Sequence, residues 1–278
     1  MKKLSMKTLI TTILCLGLFG IVRAEETAVE VADPVVSISG ELSTDITFGD
    51  ATTFSTPYMG LTFSGDGWVV STNLTDGLVN VEEAKYSWSV VDGVTLTFGS
   101  QAEPYGLAWG LHRPSNNWFV STPREHSVTN GLGVGVDKWG VGINFFYGGN
   151  EEDADAHWAT RVSYGLSVSG IDSKFGLSLN SNDAQLLDVS VGSSVFEASF
   201  EYDLSEEADG AYWLRGVVTP GSSGAFLLIG YNSDEVVTYG VGYKCSDSFK
   251  VVSEFTSGED ADGNEIDNDF SIRASYSF

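Results

Sequence analysis

Side chains able to act on a solute fall into two groups. The first is a set of bases, Lys85, Arg161, Arg215, Lys244, Lys250 and Arg273, each on the polar parity of an alternating segment. The acids Glu41, Asp45, Glu83, Glu197, Glu201, Asp203 and Glu254 share that parity. Fixed charges of both signs on one surface steer ions, most strongly where they border a narrow, water-filled gap. The second group sets histidine near serine, His126 with Ser127 and His112 with Ser115. Adjacent residues of an extended strand point to opposite faces, and an odd spacing does the same, so neither pair brings a base beside a nucleophile. His157 begins a strand and suits an interface better than catalysis. The run "DADGNEIDND" at 260–269 has glycine as its fourth residue, not its sixth, and fails the EF-hand pattern. "GLGVGV" at 131–136 precedes no helix and is no phosphate cradle. Neither catalysis, a metal nor a cofactor is expected.

Strands must position the charges. Residues 35–48 put Val36, Ile38, Gly40, Leu42, Ile46 and Phe48 on one face, and Ser37, Ser39, Glu41, Ser43, Asp45 and Thr47 on the other. About sixteen segments of this kind follow one another down to "FSIRASYSF" at 270–278. Short turns such as "VDG" at 91–93, "DKWG" at 137–140 and "CSDS" at 245–248 alternate with longer, mostly acidic connections such as "GNEEDADAH" at 149–157, "SEEADG" at 205–210 and "SGEDADGNEIDND" at 257–269. Residues 101–129, with three of the six prolines, form by far the longest connection, the third on its side.

The first residues speak to compartment. Lys2, Lys3 and Lys7 precede an apolar run, Leu9–Val22, closed by "VRA". The run is shorter than the ~20 residues of a spanning helix and reads as a signal peptide over 1–24. Cys15 lies inside it, which leaves Cys245 without an internal disulfide partner. Removing 1–24 takes four of the 14 basic residues and none of the 38 acidic ones, so ten bases face 38 acids, a net charge of −28. Such a chain excludes nucleic acid as a partner. No linker or compositional break divides the rest: a short segment at 25–34 leads into one architecture over 35–278.

That architecture is expected to be all-β, a transmembrane antiparallel barrel. A secreted β-sandwich alternates too, but turns its apolar parity inward. Three features favour lipid. Aromatics gather near strand ends (Phe48, Tyr58, Trp68, Trp88, Tyr147, Trp158, Phe175, Tyr202, Tyr212 and Tyr231), as in interfacial girdles. Each base on a lipid face would cost about 2–4 kcal/mol at mid-bilayer, so the polar parity must be the lumen. The last strand runs to Phe278 because a barrel must pair its end with its beginning. Glu82 falls on the apolar parity, which requires a bulge or a place above the lipid; Trp213 shares the lumen parity with Arg215.

In layout the chain resembles the sixteen-stranded general and anion-selective porins of Gram-negative outer membranes, and "EPYG" at 103–106 is loosely similar to a turn in their third loop. The resemblance implies that 101–129 folds into the lumen as a constriction, with Glu103, His112, Arg113, Arg124, Glu125 and His126 facing Lys85, Arg161, Arg215, Lys250 and Arg273. It implies passive diffusion of ions and small hydrophilic solutes, a homotrimer, contact with lipid and lipopolysaccharide, and recognition of Tyr276 and Phe278 by the barrel-insertion machinery. Acidic outer loops concentrate cations and favour their passage; the Arg and Lys cluster supports the alternative, a channel selective for phosphate or another small anion. A non-conducting barrel serving as adhesin or anchor is the other alternative.

Overall fold

The computed structural model describes residues 36–48, 52–75, 78–107, 119, 128–149, 156–205, 211–259 and 265–278. The leader and short segment read at 1–34, and His112, Arg113, Arg124, Glu125 and His126, lie outside the described residues. Sixteen strands follow in chain order: β1 (Ser37–Phe48), β2 (Thr52–Gly65), β3 (Trp68–Thr75), β4 (Leu78–Val91), β5 (Val94–Ala102), β6 (Val128–Lys138), β7 (Val141–Gly148) and β8 (His157–Val168), then β9 (Ile171–Asn180), β10 (Gln185–Gly192), β11 (Phe196–Asp203), β12 (Tyr212–Val218), β13 (Ala225–Asn232), β14 (Val237–Lys244), β15 (Phe249–Glu259) and β16 (Glu265–Ser277). Each pairs antiparallel with its chain neighbours, and β16 pairs with β1, so the sheet is a closed barrel. Closure leaves no open sheet edge, the condition for strands in hydrocarbon.

Alternation sets which face goes where. In β1, Glu41, Ser43 and Asp45 are buried while Ile38 and Leu42 are exposed. In β8, Arg161 and Ser163 are buried while Val162 and Tyr164 are exposed. Around the ring, the outward parity presents a continuous belt of large apolar side chains, from Phe54 at 73% exposure to Ile229 at 61%. No water-soluble monomer leaves so many uncovered; a belt of this extent is a lipid-facing surface. The sandwich arrangement, apolar side chains converging and bases outside, is excluded.

Turns at one end are tight. Asp92–Gly93, Trp139–Gly140 and Ser169–Gly170 are two-residue connections, and the positive φ of 77° at Gly93 is one that glycine adopts without strain. At the other end one connection differs from the sequence reading: β15 continues to Glu259 and β16 starts at Glu265, so part of the acidic stretch 257–269 is paired strand, with Gly258 opposite Ile266.

Two residues of awkward parity find explanations. The pairing of β3 with β4 shifts between Ser71–Glu83 and Thr72–Val81, which leaves Glu82 as the extra residue of a bulge. Its carboxylate accepts a hydrogen bond from Tyr58 Oη at 2.7 Å. Tyr58 is therefore not a girdle residue as expected: a second shift, between Ser43 and Asp45, sets it opposite inward-facing Ser43, and it is buried. The seam itself is tied at both faces. Inside, Arg273 lies opposite Asp45 and grips both its oxygens at 2.7 Å. At the end of the seam, Phe278 and Gly40 exchange two backbone hydrogen bonds of 3.0 Å, with the phenyl ring where a side chain at Gly40 would stand.

Candidate functional site

The site is the inner wall and the first part of the long connection between β5 and β6. Glu103, Pro104, Tyr105, Gly106 and Leu107 leave β5 and run inward rather than out. Gly106 N–H donates to Ser178 Oγ at 3.0 Å, Leu107 N–H to Glu201 Oε2 at 2.7 Å, and Arg161 Nη1 donates to Gly106 O at 2.9 Å. Ser178, Glu201 and Arg161 are inward-facing residues of β9, β11 and β8, so this stretch crosses the lumen away from its own strand. Backbone groups taken off a sheet need partners; the wall supplies them. Glu103 stays near the entrance, where Thr129 Oγ1 hydrogen-bonds to its carboxylate and His157 Nε2 lies 2.6 Å from the same oxygen.

Phe119 is the other described residue of the connection, and it is 2% exposed. It packs with Val217, Phe226, Leu228 and Val252 of β12, β13 and β15, an apolar cluster on what is elsewhere the polar parity. The Arg215 guanidinium lies 4.1 Å from the Phe119 ring centroid and 3.9 Å from that of Trp213. Cation–π attraction of this kind is worth up to about 2 kcal/mol when the cation is largely desolvated. Glu197 and Glu254 are the carboxylates that act on the same guanidinium.

The bases named from sequence keep different company, Lys244 being exposed at the turn end of β14 with Asp247 and the others lining the inside. Arg161 Nη2 lies 2.5 Å from Asp188, and Lys85 Nζ 2.9 Å from Glu83. Arg273 is held by Asp45, and Lys250 stands in the field of Glu41. Of these, the structure brings Arg161 to the long connection through Gly106 and Arg215 through Phe119; Lys85 and Arg273 pair with wall carboxylates. Opposite the packed cluster the wall is open. A cavity of about 310 Å³ lies along β4 to β9, lined by Lys85, Thr95, Thr97, Gly133, Asn144 and Ser163 among others.

Sequence reading missed three participants. Phe119 lies in an aperiodic stretch, where no parity marks a residue as inward. Trp213 was placed on the lumen parity, and only the cation–π contact gives it a role. Lys174, on the inward parity of β9, was legible by the rule that found the other bases.

No protein-family model matches the chain, and the curated proteins contain no significant match. Solved structures do resemble it. A variant of the porin of Rhodobacter blastica is 14% identical with a TM-score of 0.65, over 88% of this chain and 100% of that one. OmpTdeltaL8, a loop L8 deletion mutant of OmpT, an outer membrane protein of Vibrio cholerae, is 15% identical with a TM-score of 0.63, over 89% and 100%. In-vitro folded OmpT of the same organism, described as a trimer form, is 13% identical with a TM-score of 0.61. At such identities the likeness is one of fold: the chain is an all-β, closed sixteen-stranded antiparallel barrel of the porin type.

Proposed function

We propose that the chain is an outer-membrane porin, a channel for passive diffusion of ions and small hydrophilic solutes. One observation carries this reading: polar and small side chains line an open sector of the interior along β4 to β9, while the apolar parity faces outward. A solute in that sector meets hydroxyls, glycines and charges beside Pro104 and Phe146, so it can exchange part of its hydration for wall contacts. The entry of Glu103–Leu107 into the barrel supports a constriction formed by 101–129, with His112, Arg113, Arg124 and Glu125 as its further members facing the wall bases. Residues 1–24 act as the export signal, Tyr276 and Phe278 mark the last strand for the insertion machinery, and lipid and lipopolysaccharide cover the outer belt. The subunit works in a homotrimer, in keeping with the trimer form of OmpT. No step is catalytic, and no cofactor takes part.

Purified, folded protein added to a planar bilayer is expected to give discrete, ohmic conductance steps. Unboiled protein should also run at a different gel mobility from boiled protein. A barrel that shows the mobility shift and no conductance would be the anchor or adhesin instead.

A further inference from the structure

The wall charges are not equivalent. Among the described residues, Lys174 alone of the inward-facing basic side chains has no hydrogen bond or ion pair. Arg161, Arg273 and Lys85 are each spent on a carboxylate. Arg215 lies against two aromatic rings, Lys250 acts on Glu41, and Lys244 reaches Asp247 in its own turn. A base matched by a carboxylate within 3 Å presents a dipole to a passing ion, and its field falls off faster than that of a lone charge.

Lys174 also has a place to act. It borders the cavity of about 310 Å³ along β4 to β9 and a second one of about 590 Å³ beside the tight turns, and so lies where the two meet. Its cross-strand partners are Gly165 and Ser190, too small to cover it, and it is exposed. Ser163, Ser167 and Ser190 put hydroxyls around the same spaces. Of the acids nearby, Asp188 holds Arg161 and acts on Lys174 only through its field, with no ion pair between them, while Asp172 accepts from Ser167 Oγ and Glu197 acts on Arg215.

We propose that Lys174 is the contact point for anionic groups crossing this barrel, a transient site for small oxyanions and chloride on the turn side of the constriction. The assignment rests on the channel reading and adds to it the residue that sets the anion share of the current. Lys174 must then govern anion passage more than the paired bases do.

The test is a reversal potential in a potassium chloride gradient, with inorganic phosphate as a second probe, for the wild type, Lys174→Gln, Lys174→Glu and Lys174→Arg. Each is first checked for the heat-dependent gel shift. One unit charge about 6 Å from the path, in a medium close to water and screened by about 0.1 M salt, attracts the anion and repels the cation and so is worth about three-fold in their permeability ratio, and its reversal about ten-fold. The chloride-to-potassium permeability ratio should therefore fall about three-fold in Lys174→Gln and about ten-fold in Lys174→Glu, phosphate should lose its block of the current in both, and Lys174→Arg should match the wild type. Lys85→Gln combined with Glu83→Gln, which removes a paired base together with its carboxylate, should shift the ratio less than Lys174→Gln. A conducting wild type whose ratio and phosphate block are unmoved by Lys174→Glu overturns the assignment and leaves the channel intact. A wild type without conductance overturns the channel reading, and this assignment with it.

Discussion

The inner faces of β12 to β15 and of β4 to β9 belong to one lumen and follow one alternation rule, yet the first is packed and the second is open. On the packed side the inward parity carries Val217, Phe226, Leu228 and Val252, all at most 5% exposed, and closes on Phe119. On the open side it carries Ser87, Thr95, Thr97, Gly133 and Ser163, which leave a cavity of about 310 Å³. The outward parity is apolar in both sectors. The outward face is thus uniform, whereas the other face records what each sector holds: Phe119 on one side, an open cavity on the other. A charged wall alone would offer Phe119 nothing to pack against; a patch of ordinary core gives it a seat.

Substitutions can break this contrast in order of expected size. Phe119→Ala removes a buried ring from the packed sector, and losses for such truncations are about 3–5 kcal/mol. The loop should lose its seat, seen as raised single-channel conductance and greater protease sensitivity within 101–129; unchanged current noise and conductance would mean that Phe119 anchors nothing. Asp45→Ala leaves the guanidinium of Arg273 buried without its carboxylate, a defect of about 3 kcal/mol. Its mark should be a lower temperature for the gel-mobility transition, with conductance near that of the wild type because the seam lies apart from the open cavity. Tyr58→Phe deletes the hydrogen bond to the bulge residue Glu82 and should cost about 1–2 kcal/mol, since a charged acceptor is left unsatisfied; urea unfolding would read it. Thr97→Trp fills part of the open sector and is expected to spare stability while reducing conductance roughly two-fold. The same conductance in Thr97→Trp as in the wild type would show that current flows elsewhere.

Much of this was legible in the chain, for a reason visible in β1 and β8. Alternation survives translation into structure when one parity meets lipid, because every exception is expensive. Hence the strand number, closure of β16 on β1 and the inward aim of Arg161 and Arg273 could all be read from parity. Tyr58 shows where parity fails: a one-residue shift in β2 turned an expected girdle aromatic inward, and aromatic residues suit both places. Glu82 shows the converse, an exception that called for a bulge or a place above the lipid and is met by the bulge. The anchor was not legible at all, because Phe226 and Leu228 make β13 apolar on both faces, and Phe119 sits where no period applies. Lys174 was legible by parity, but parity says which way a side chain points and not whether an ion-pair partner lies within reach.

The clasp between Arg273 and Asp45 joins positions 228 residues apart in the chain. Were the two strands to meet one residue out of step, the guanidinium would swing from the wet interior into hydrocarbon, at a cost of about 2–4 kcal/mol, and Asp45 would be left without a counterion. The pair thus weights the ring's closure toward the one alignment in which both charges meet.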